Sequence, residues 1–237
     1  ISKPAPLVPR SLRYEVLERI GPDGSVRLPL DRDGLMVSAQ ELVTEGVEAV
    51  AVVFLHSYSN AAHECEAQEL LGAAFPDLSL SISSDVAPEV REFERASTTA
   101  ANAYVKPLAE RYLDDLATGS AKLGISAPLH LMLSAGGLTH LDEAKRVPVE
   151  MLESGPAAGA LVAAYFGREL ATEDDPGDLL ALDMGGTTAK LAMVEDGAPR
   201  TAYAFEAARQ KRFAEGSGLP IRISTVELIE IGAGGGS

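Results

Sequence analysis

The densest concentration of chemically useful residues lies between Leu179 and Val194. An apolar run ends in Asp183-Met184, Gly185-Gly186-Thr187-Thr188 follows, and a second alternating run closes at Glu195-Asp196-Gly197. This pattern is that of a β-hairpin with a polar tip. Adjacent glycines leave backbone N–H groups unshielded, so phosphate oxygens can come close, and the Thr187 and Thr188 hydroxyls add neutral donors. Asp183 itself repels phosphate. A carboxylate at a strand end is suited to a hydrated Mg²⁺, held directly or through water, and the metal offsets the charge. Lys190 either adds a cation or points to solvent. The plain alternative is an ordinary hairpin, because Gly-Gly turns flanked by threonine occur in many folds without a ligand. The chain has no Walker A loop and no Rossmann fingerprint. A second glycine-rich stretch, Gly232-Ala233-Gly234-Gly235-Gly236-Ser237, follows the apolar run Val226 to Ile231. It reads either as a second ligand loop, with Gly234 and Gly235 as its contacts, or as a flexible turn.

Other reactive side chains are more scattered. His56, Ser57, Tyr58, Asn60, His63 and Glu64 follow a buried-looking strand, where α/β proteins often place ligand groups. His63 and Glu64 could bind a metal or polarise a carbonyl; the simpler expectation puts both in the exposed first turn of a helix, with His56 satisfying local backbone. Arg91, Glu92, Glu94 and Arg95 stand at helical spacings that favour surface ion pairs over an acid–base pair. Cys65 has Glu64 and Glu66 beside it, which raises a thiol pKa and argues against a nucleophile. Ser134, before Ala135-Gly136-Gly137, fits a strand-end turn better than a ligand loop. No Gly-x-Ser-x-Gly elbow is present.

Several elements must position these groups. Leu12 to Ile20 and Val26 to Leu30 flank Gly21-Pro22-Asp23-Gly24 as a hairpin. Ser38 with Glu41 forms a capping-box pattern for a short helix over 39–45, stopped by Gly46. A buried strand over Val47 to Leu55, a helix capped by Asn60 and running to about Ala74, and a strand over Leu78 to Ile82 complete an αβαβ order, hence an α/β domain. Residues 88–123 turn helical, with Val105, Leu108, Tyr112, Leu113 and Leu116 on one apolar stripe and Pro107 ending or kinking the helix. Then come a strand over Leu129 to Leu133, a turn at Gly136-Gly137, helical turns over Leu141 to Arg146 and a strand over Val149 to Leu152. A small-residue helix over Pro156 to about Phe166 and a loop over Asp174 to Asp178 precede the hairpin.

The 237 residues allow one large or two small domains. Lys plus Arg number 20 against 35 Asp plus Glu, a formal charge of −15 that disfavours nucleic acid and anionic membrane as partners. At 46% hydrophobic and 23% charged the composition is that of a globular protein. No run is long enough to cross a bilayer. Cys65 is the single cysteine, so no intrachain disulfide forms, and a reducing cytoplasm is the expected compartment. The chain begins at Ile1 rather than Met and stops inside the Gly232 stretch, which reads as a fragment.

The order of small-residue helix, acidic loop, strand, Asp-x-Gly-Gly-Thr-Thr and strand resembles the second phosphate-binding region of the actin, sugar-kinase and Hsp70 ATPase superfamily. Glu153-Ser154-Gly155-Pro156-Ala157-Ala158-Gly159-Ala160 resembles its connecting helix. A wider match resembles the hydantoinase A and 5-oxoprolinase family. Its motifs are Phe54-Leu55-His56-Ser57-Tyr58, Arg91 to Arg95, Ser97-Thr98-Thr99, Ala101-Asn102-Ala103-Tyr104-Val105, the Glu153 run, Asp183 to Lys190, Gly216-Ser217-Gly218-Leu219-Pro220 and the Gly232 run. Arg212-Phe213 before Gly216 brings the chain nearest to the N-methylhydantoinase type.

The resemblance implies an α/β actin-like (ribonuclease H-like) ATPase fold, incomplete at both ends. Residues 1–95 would be the C-terminal part of the hydantoinase/oxoprolinase N-terminal region, and 96–237 the N-terminal part of the hydantoinase A domain. It implies ATP and Mg²⁺ as cofactors, a small cyclic amide (hydantoin, N-methylhydantoin or 5-oxoproline type) as substrate, opened by phosphoryl activation, and a hydantoinase B-like subunit as partner. Asp183 takes the catalytic and metal role, and Gly185, Gly186, Thr187 and Thr188 form the second phosphate loop. The family's other phosphate loop has no counterpart here, so the chain alone is expected to be inactive. An ATPase subunit of an acetone- or acetophenone-type carboxylase, or a non-enzymatic ATP-driven switch, are the alternative readings.

Overall fold

The computed structural model describes residues 4–172, 178–211 and 214–236. In chain order they form β1 (Arg19–Ile20), β2 (Val26–Leu28), α1 (Arg32–Thr44), β3 (Ala49–Val52), α2 (Ala62–Ala74), β4 (Ser79–Ile82), α3 (Ser83–Val86), α4 (Glu92–Lys122), β5 (His130–Met132), β6 (Leu138–His140), α5 (Leu141–Arg146), α6 (Ser154–Leu170), β7 (Leu179–Met184), β8 (Ala189–Glu195), β9 (Ala198–Pro199), β10 (Thr201–Ala202), β11 (Phe205–Ala207), β12 (Leu219–Ile221), β13 (Thr225–Val226) and β14 (Ile229–Ile231). Two compact units interleave along the chain. The first comprises residues 1–126, 145–149 and 206–222; the second, 127–144, 150–205 and 223–237.

The first unit is α/β. β3 and β4 pair in parallel, Ala49 with Ser79 through Val52 with Ile82, and Leu35, Val52, Leu71, Leu80 and Ile82 form its core. The expected αβαβ order is present, with shorter strands. The hairpin also forms, reduced to Arg19–Ile20 against Val26–Leu28. Asn60 is not the expected cap of α2, because Ala61 holds that position; Asn60 stands one residue earlier, its Oδ1 accepts from Ala62 N at 3.0 Å, and its Nδ2 donates to the Gly24 carbonyl at 2.8 Å, tying that helix to the hairpin turn.

Four expectations need correction. α1 starts at Arg32, not 39, because Asp31 is the cap and accepts from Gly34 N at 3.1 Å, leaving Ser38 in mid-helix. α4 is one 31-residue helix with Pro107 inside it, so the proline does not end it. The missing hydrogen bond costs about 3 kcal/mol, and anchors on both sides of the proline hold the helix: Lys106 Nζ donates to the Leu80 carbonyl at 2.7 Å, and Lys145 pairs with Asp114. Of the expected apolar stripe Leu113 is buried, whereas Leu108 and Tyr112 are exposed. Residues Pro148–Met151 form a 3₁₀ turn instead of a strand, because Pro148 has no N–H and Val149 N is spent on Asn102 Oδ1 at 3.1 Å.

The second unit is built on an antiparallel sheet of order β14-β8-β7, with β9 beside β8. β7 and β8 pair from Leu179 with Val194 to Met184 with Ala189, so the hairpin with a polar tip is present. α6 is longer than expected and lays Ala157, Ala160 and Ala164 on Ala181, Ala192 and Val194; small side chains on both faces let the backbones approach closely. The turn at Gly136-Gly137 joins β5 to β6. The acidic loop at Asp174 to Gly177 and the Arg212-Phe213 pair lie outside the described residues.

Candidate functional site

The bend at Gly185 to Thr188 lies on the surface of the second unit, with Gly185, Gly186 and Thr187 exposed. Gly185 N–H is spent within the bend, on the Thr188 carbonyl at 2.9 Å. The terminal glycine stretch runs alongside. Gly235 N–H donates to the Gly185 carbonyl at 3.0 Å and Gly236 N–H to the Gly186 carbonyl at 2.9 Å. A trans peptide points its C=O and N–H in opposite directions, and the described residues hold no cis peptide, so the N–H groups of Gly186 and Thr187 both aim away from the terminal stretch. Two successive amides facing one exposed side are an arrangement that can receive an anion. Gly234 stacks directly on it: a Cβ there would stand 2.5 Å from Gly186 C and Thr187 N. Gly234 and Gly235 thus brace the bend, and the Gly235 amide is engaged with it rather than open to a ligand.

Asp183 sits at the entrance. The register sets Asp183, Lys190 and Glu230 in one row across β7, β8 and β14, on the face that α6 covers. The carboxylate of Asp183 lies against α6 at Gly159, where an added Cβ would come within 3.9 Å of its Oδ2. Lys190 is half-buried and ion-paired with Glu153, the residue that precedes α6, so it is neither a free cation nor solvent-directed. A cavity of about 120 Å³ opens among Pro156, Gly159, Asp183 and Lys190. It has room for a few waters and none for a nucleotide. Among the described residues no group of three His, Cys, Asp or Glu side chains converges to hold a metal. A single carboxylate beside room for water is the kind of ligand set that Mg²⁺ accepts, and exposed, uncommitted amides suit a phosphate, so the residues fit both groups.

The residues after β3 do something different. Arg95 is 1% exposed, not a surface ion-pair partner. Its Nη1 donates to Ser57 Oγ at 2.5 Å and its Nη2 to the Phe54 carbonyl at 2.7 Å. Ser57 Oγ lies 3.0 Å from Ser83 Oγ, and Ser83 Oγ donates to Glu64 Oε1 at 2.6 Å. A guanidinium only donates and a carboxylate only accepts, so both serine protons are fixed in direction from Arg95 to Glu64. Glu64 also accepts from Phe54 N and Ser84 N, each at 2.7 Å. His63 is buried too, and its Nδ1–H donates to Glu18 Oε2 at 2.8 Å. The expectation of an exposed first turn for His63 and Glu64 is therefore wrong: Glu18 and the Phe54–Ser84 loops cover them. Nδ1 of His63 is thus committed to Glu18, and among the described residues no group of three His, Cys, Asp or Glu side chains forms around it. His56, at φ 61°, contacts the Tyr58 hydroxyl at 3.1 Å, and its carbonyl accepts from Ser59 and Asn60 N–H.

The remaining candidates are also structural. Ser134 Oγ accepts from Glu153 N at 3.0 Å, its N–H donates to the Glu150 carbonyl and its carbonyl accepts from Val226 N. Burial, followed by Asp85, Glu64 and Glu69, pushes the Cys65 thiol up, against a nucleophile. The Glu206 carboxylate accepts from Gly216 N at 2.5 Å and Gly218 N at 3.0 Å, which makes the Gly216-Ser217-Gly218 motif a backbone turn.

The sequence model of Hydantoinase/oxoprolinase matches residues 95–237, and that of the Hydantoinase/oxoprolinase N-terminal region matches residues 1–75. The chain belongs to the hydantoinase/oxoprolinase family. An uncharacterized protein of Methanocaldococcus jannaschii is 37% identical over 238 residues, covering 99% of this chain and 34% of that protein. Caprolactamase subunit alpha of Pseudomonas jessenii is 32% identical over 235 residues, covering 98% of this chain and 31% of the subunit. The crystal structure of the ATP-dependent caprolactamase from Pseudomonas jessenii matches with a TM-score of 0.78 at 28% identity, over 97% of this chain and 31% of that one. Nucleotide-free acetone carboxylase matches with a TM-score of 0.79 at 24% identity, over 98% of this chain and 31% of that one, which shows a shared fold. This hydantoinase/oxoprolinase chain spans about a third of the length of the curated relatives it matches. Among its described residues no helix is long and apolar enough to cross a membrane.

Proposed function

We propose that these residues are part of an ATP-dependent enzyme that opens a small cyclic amide, built on an actin-like ATPase fold, with Asp183 to Thr188 as one of its phosphate-binding elements. The observation that carries this reading is the exposed bend whose Gly186 and Thr187 amides face one open side, with Asp183 at its entrance. Family membership and the caprolactamase relative support the reaction class. When bound, ATP would supply a phosphoryl group to the amide oxygen, which makes the amide carbon reactive toward water. The chain's own residues bind and orient: the two amides and the Thr187 and Thr188 hydroxyls hold phosphate oxygens, and Asp183 holds a hydrated Mg²⁺. Positioning and charge neutralisation are the main demands of such chemistry. The Glu153–Lys190 pair fixes the start of α6 against β8 and takes the Lys190 charge out of direct phosphate contact. A second subunit of hydantoinase B type is the expected partner, since the relative is itself a subunit alpha. A reducing cytoplasm suits the lone thiol.

The test is ATP turnover by the full-length protein with caprolactam, 5-oxoproline, hydantoin or N-methylhydantoin, against a ketone with bicarbonate. Asp183→Asn should abolish lactam- or hydantoin-stimulated turnover while leaving the folded state intact by circular dichroism. Stimulation by the ketone would replace the amidohydrolase reading with a carboxylase one, and turnover unchanged in Asp183→Asn would end the assignment of this site.

A further inference from the structure

Two of the four histidines, His130 and His140, face each other across the β5–β6 hairpin of the second unit. They are direct cross-strand partners on one face of the ribbon, both exposed, with ring centroids 4.8 Å apart and planes tilted by 47°. Neither ring is used by the candidate phosphate site. We propose that this pair is a two-imidazole binding site for a borderline divalent cation, Zn²⁺ above all.

The chemistry follows from geometry. Directly opposed residues of an antiparallel pair hold their Cβ atoms about 4.5–5.5 Å apart. Zn²⁺ binds imidazole nitrogen at about 2.0–2.1 Å in tetrahedral geometry, so two ligand nitrogens stand about 3.3 Å apart. Rings with centroids 4.8 Å apart are near enough for one nitrogen of each to reach a shared cation. Imidazole is a preferred ligand for Zn²⁺, Cu²⁺ and Ni²⁺ and a poor one for Mg²⁺ or Ca²⁺, so the site discriminates against the cation proposed at Asp183. Among the described residues no third His, Cys, Asp or Glu joins the pair, and water completes the coordination. The strands on which the histidines stand are held at the opposite end by a tight turn. Leu133 N donates to the Gly137 carbonyl at 2.8 Å, and Ser134 binds the Glu153 amide at the start of α6. A cation bridging His130 and His140 therefore clamps the ribbon at the end away from its turn, just before α5 begins.

The experiment is calorimetric titration of the full-length protein with ZnCl₂, alongside Cu²⁺ electron paramagnetic resonance to count bound nitrogens. Wild type should show one Zn²⁺ event and a Cu²⁺ spectrum with two nitrogen couplings. His130→Ala and His140→Ala should each weaken Zn²⁺ binding by about tenfold or more and reduce the spectrum to one nitrogen, while His56→Ala, a residue outside the pair, changes neither. Both side chains are exposed, so loss of fold is not expected, and circular dichroism checks it. An isotherm unchanged in either variant, or a single nitrogen coupling in wild type, would overturn the proposal.

Discussion

A single methyl group at Gly234 decides whether the two glycine-rich segments can lie together. The Cβ of an alanine would stand 2.5 Å from backbone atoms of Gly186 and Thr187, and backbone cannot swing aside as a flexible side chain does. At Gly235 the nearest atom to an added Cβ is the Gly185 carbonyl oxygen at 3.9 Å, an ordinary contact. Gly234→Ala should therefore push the bend out of shape and reduce ATP turnover of the full-length protein more than tenfold, with an overpacking cost of about 1–3 kcal/mol, whereas Gly235→Ala should keep turnover within about twofold. Steady-state kinetics of the two variants side by side check this, and equal losses would show that the stacking is not what shapes the bend. At this scale the sequence reveals part of the site. Asp183 to Thr188 is legible because its residues are contiguous and their types suffice to suggest phosphate. The bracing role of Gly234, and the capture of Lys190 by Glu153, depend on partners distant along the chain and leave no local signature.

Elements rather than residues explain why so many polar groups are buried after β3. Phe54 and Ser57 follow β3, Ser83 and Ser84 begin α3 directly after β4, Glu64 lies in α2 and Arg95 in α4; one chain of hydrogen bonds fastens all four segments at the C-terminal end of the parallel pair. Arg95→Ala should destabilise the first unit by about 3–5 kcal/mol, because it removes two buried hydrogen bonds from a charged donor, to Ser57 and the Phe54 carbonyl, at about 1.5–3 kcal/mol each, and Ser57→Ala by about 1–3 kcal/mol, the cost of an unmet buried hydrogen bond. Urea denaturation of each variant measures the order; a Ser57→Ala loss equal to or larger than that of Arg95→Ala would refute the relayed pairing. Sequence pattern misassigns Arg95 because Arg91, Glu92, Glu94 and Arg95 carry the spacing of a solvated helix face, while the groups that bury Arg95 lie 38 and 41 residues away. The β7–β8 hairpin is readable for the opposite reason, since alternation and a Gly-Gly tip are local. The start of α1 is hidden because Asp31 caps a first turn that contains Gly34, a poor helix former.

On the scale of the whole molecule, the sheet of the second unit has one face whose apolar side chains are exposed among the described residues. Leu180, Leu182, Met184, Met193 and Ile229 alternate onto the side opposite α6 and are all exposed, Leu182 at 63%. A contiguous apolar face of this kind on a sheet marks an interaction surface. The chain amounts to about a third of each relative's length, so on the proposed function the expected occupant of this face is further polypeptide of the same protein. The 237-residue chain by itself should then bind an apolar dye such as ANS strongly and turn over ATP negligibly, while the full-length protein does the reverse. The net charge of −15 adds a second expectation. Self-repulsion keeps isolated copies apart at low ionic strength, and salt shortens the Debye length from about 30 Å at 0.01 M to about 8 Å at 0.15 M. Association of the isolated chain through its apolar face should therefore rise with salt, read as sedimentation shifting to larger species between those two conditions. Weak ANS fluorescence together with salt-independent sedimentation of the isolated chain would mean that the exposed face needs no further polypeptide to cover it.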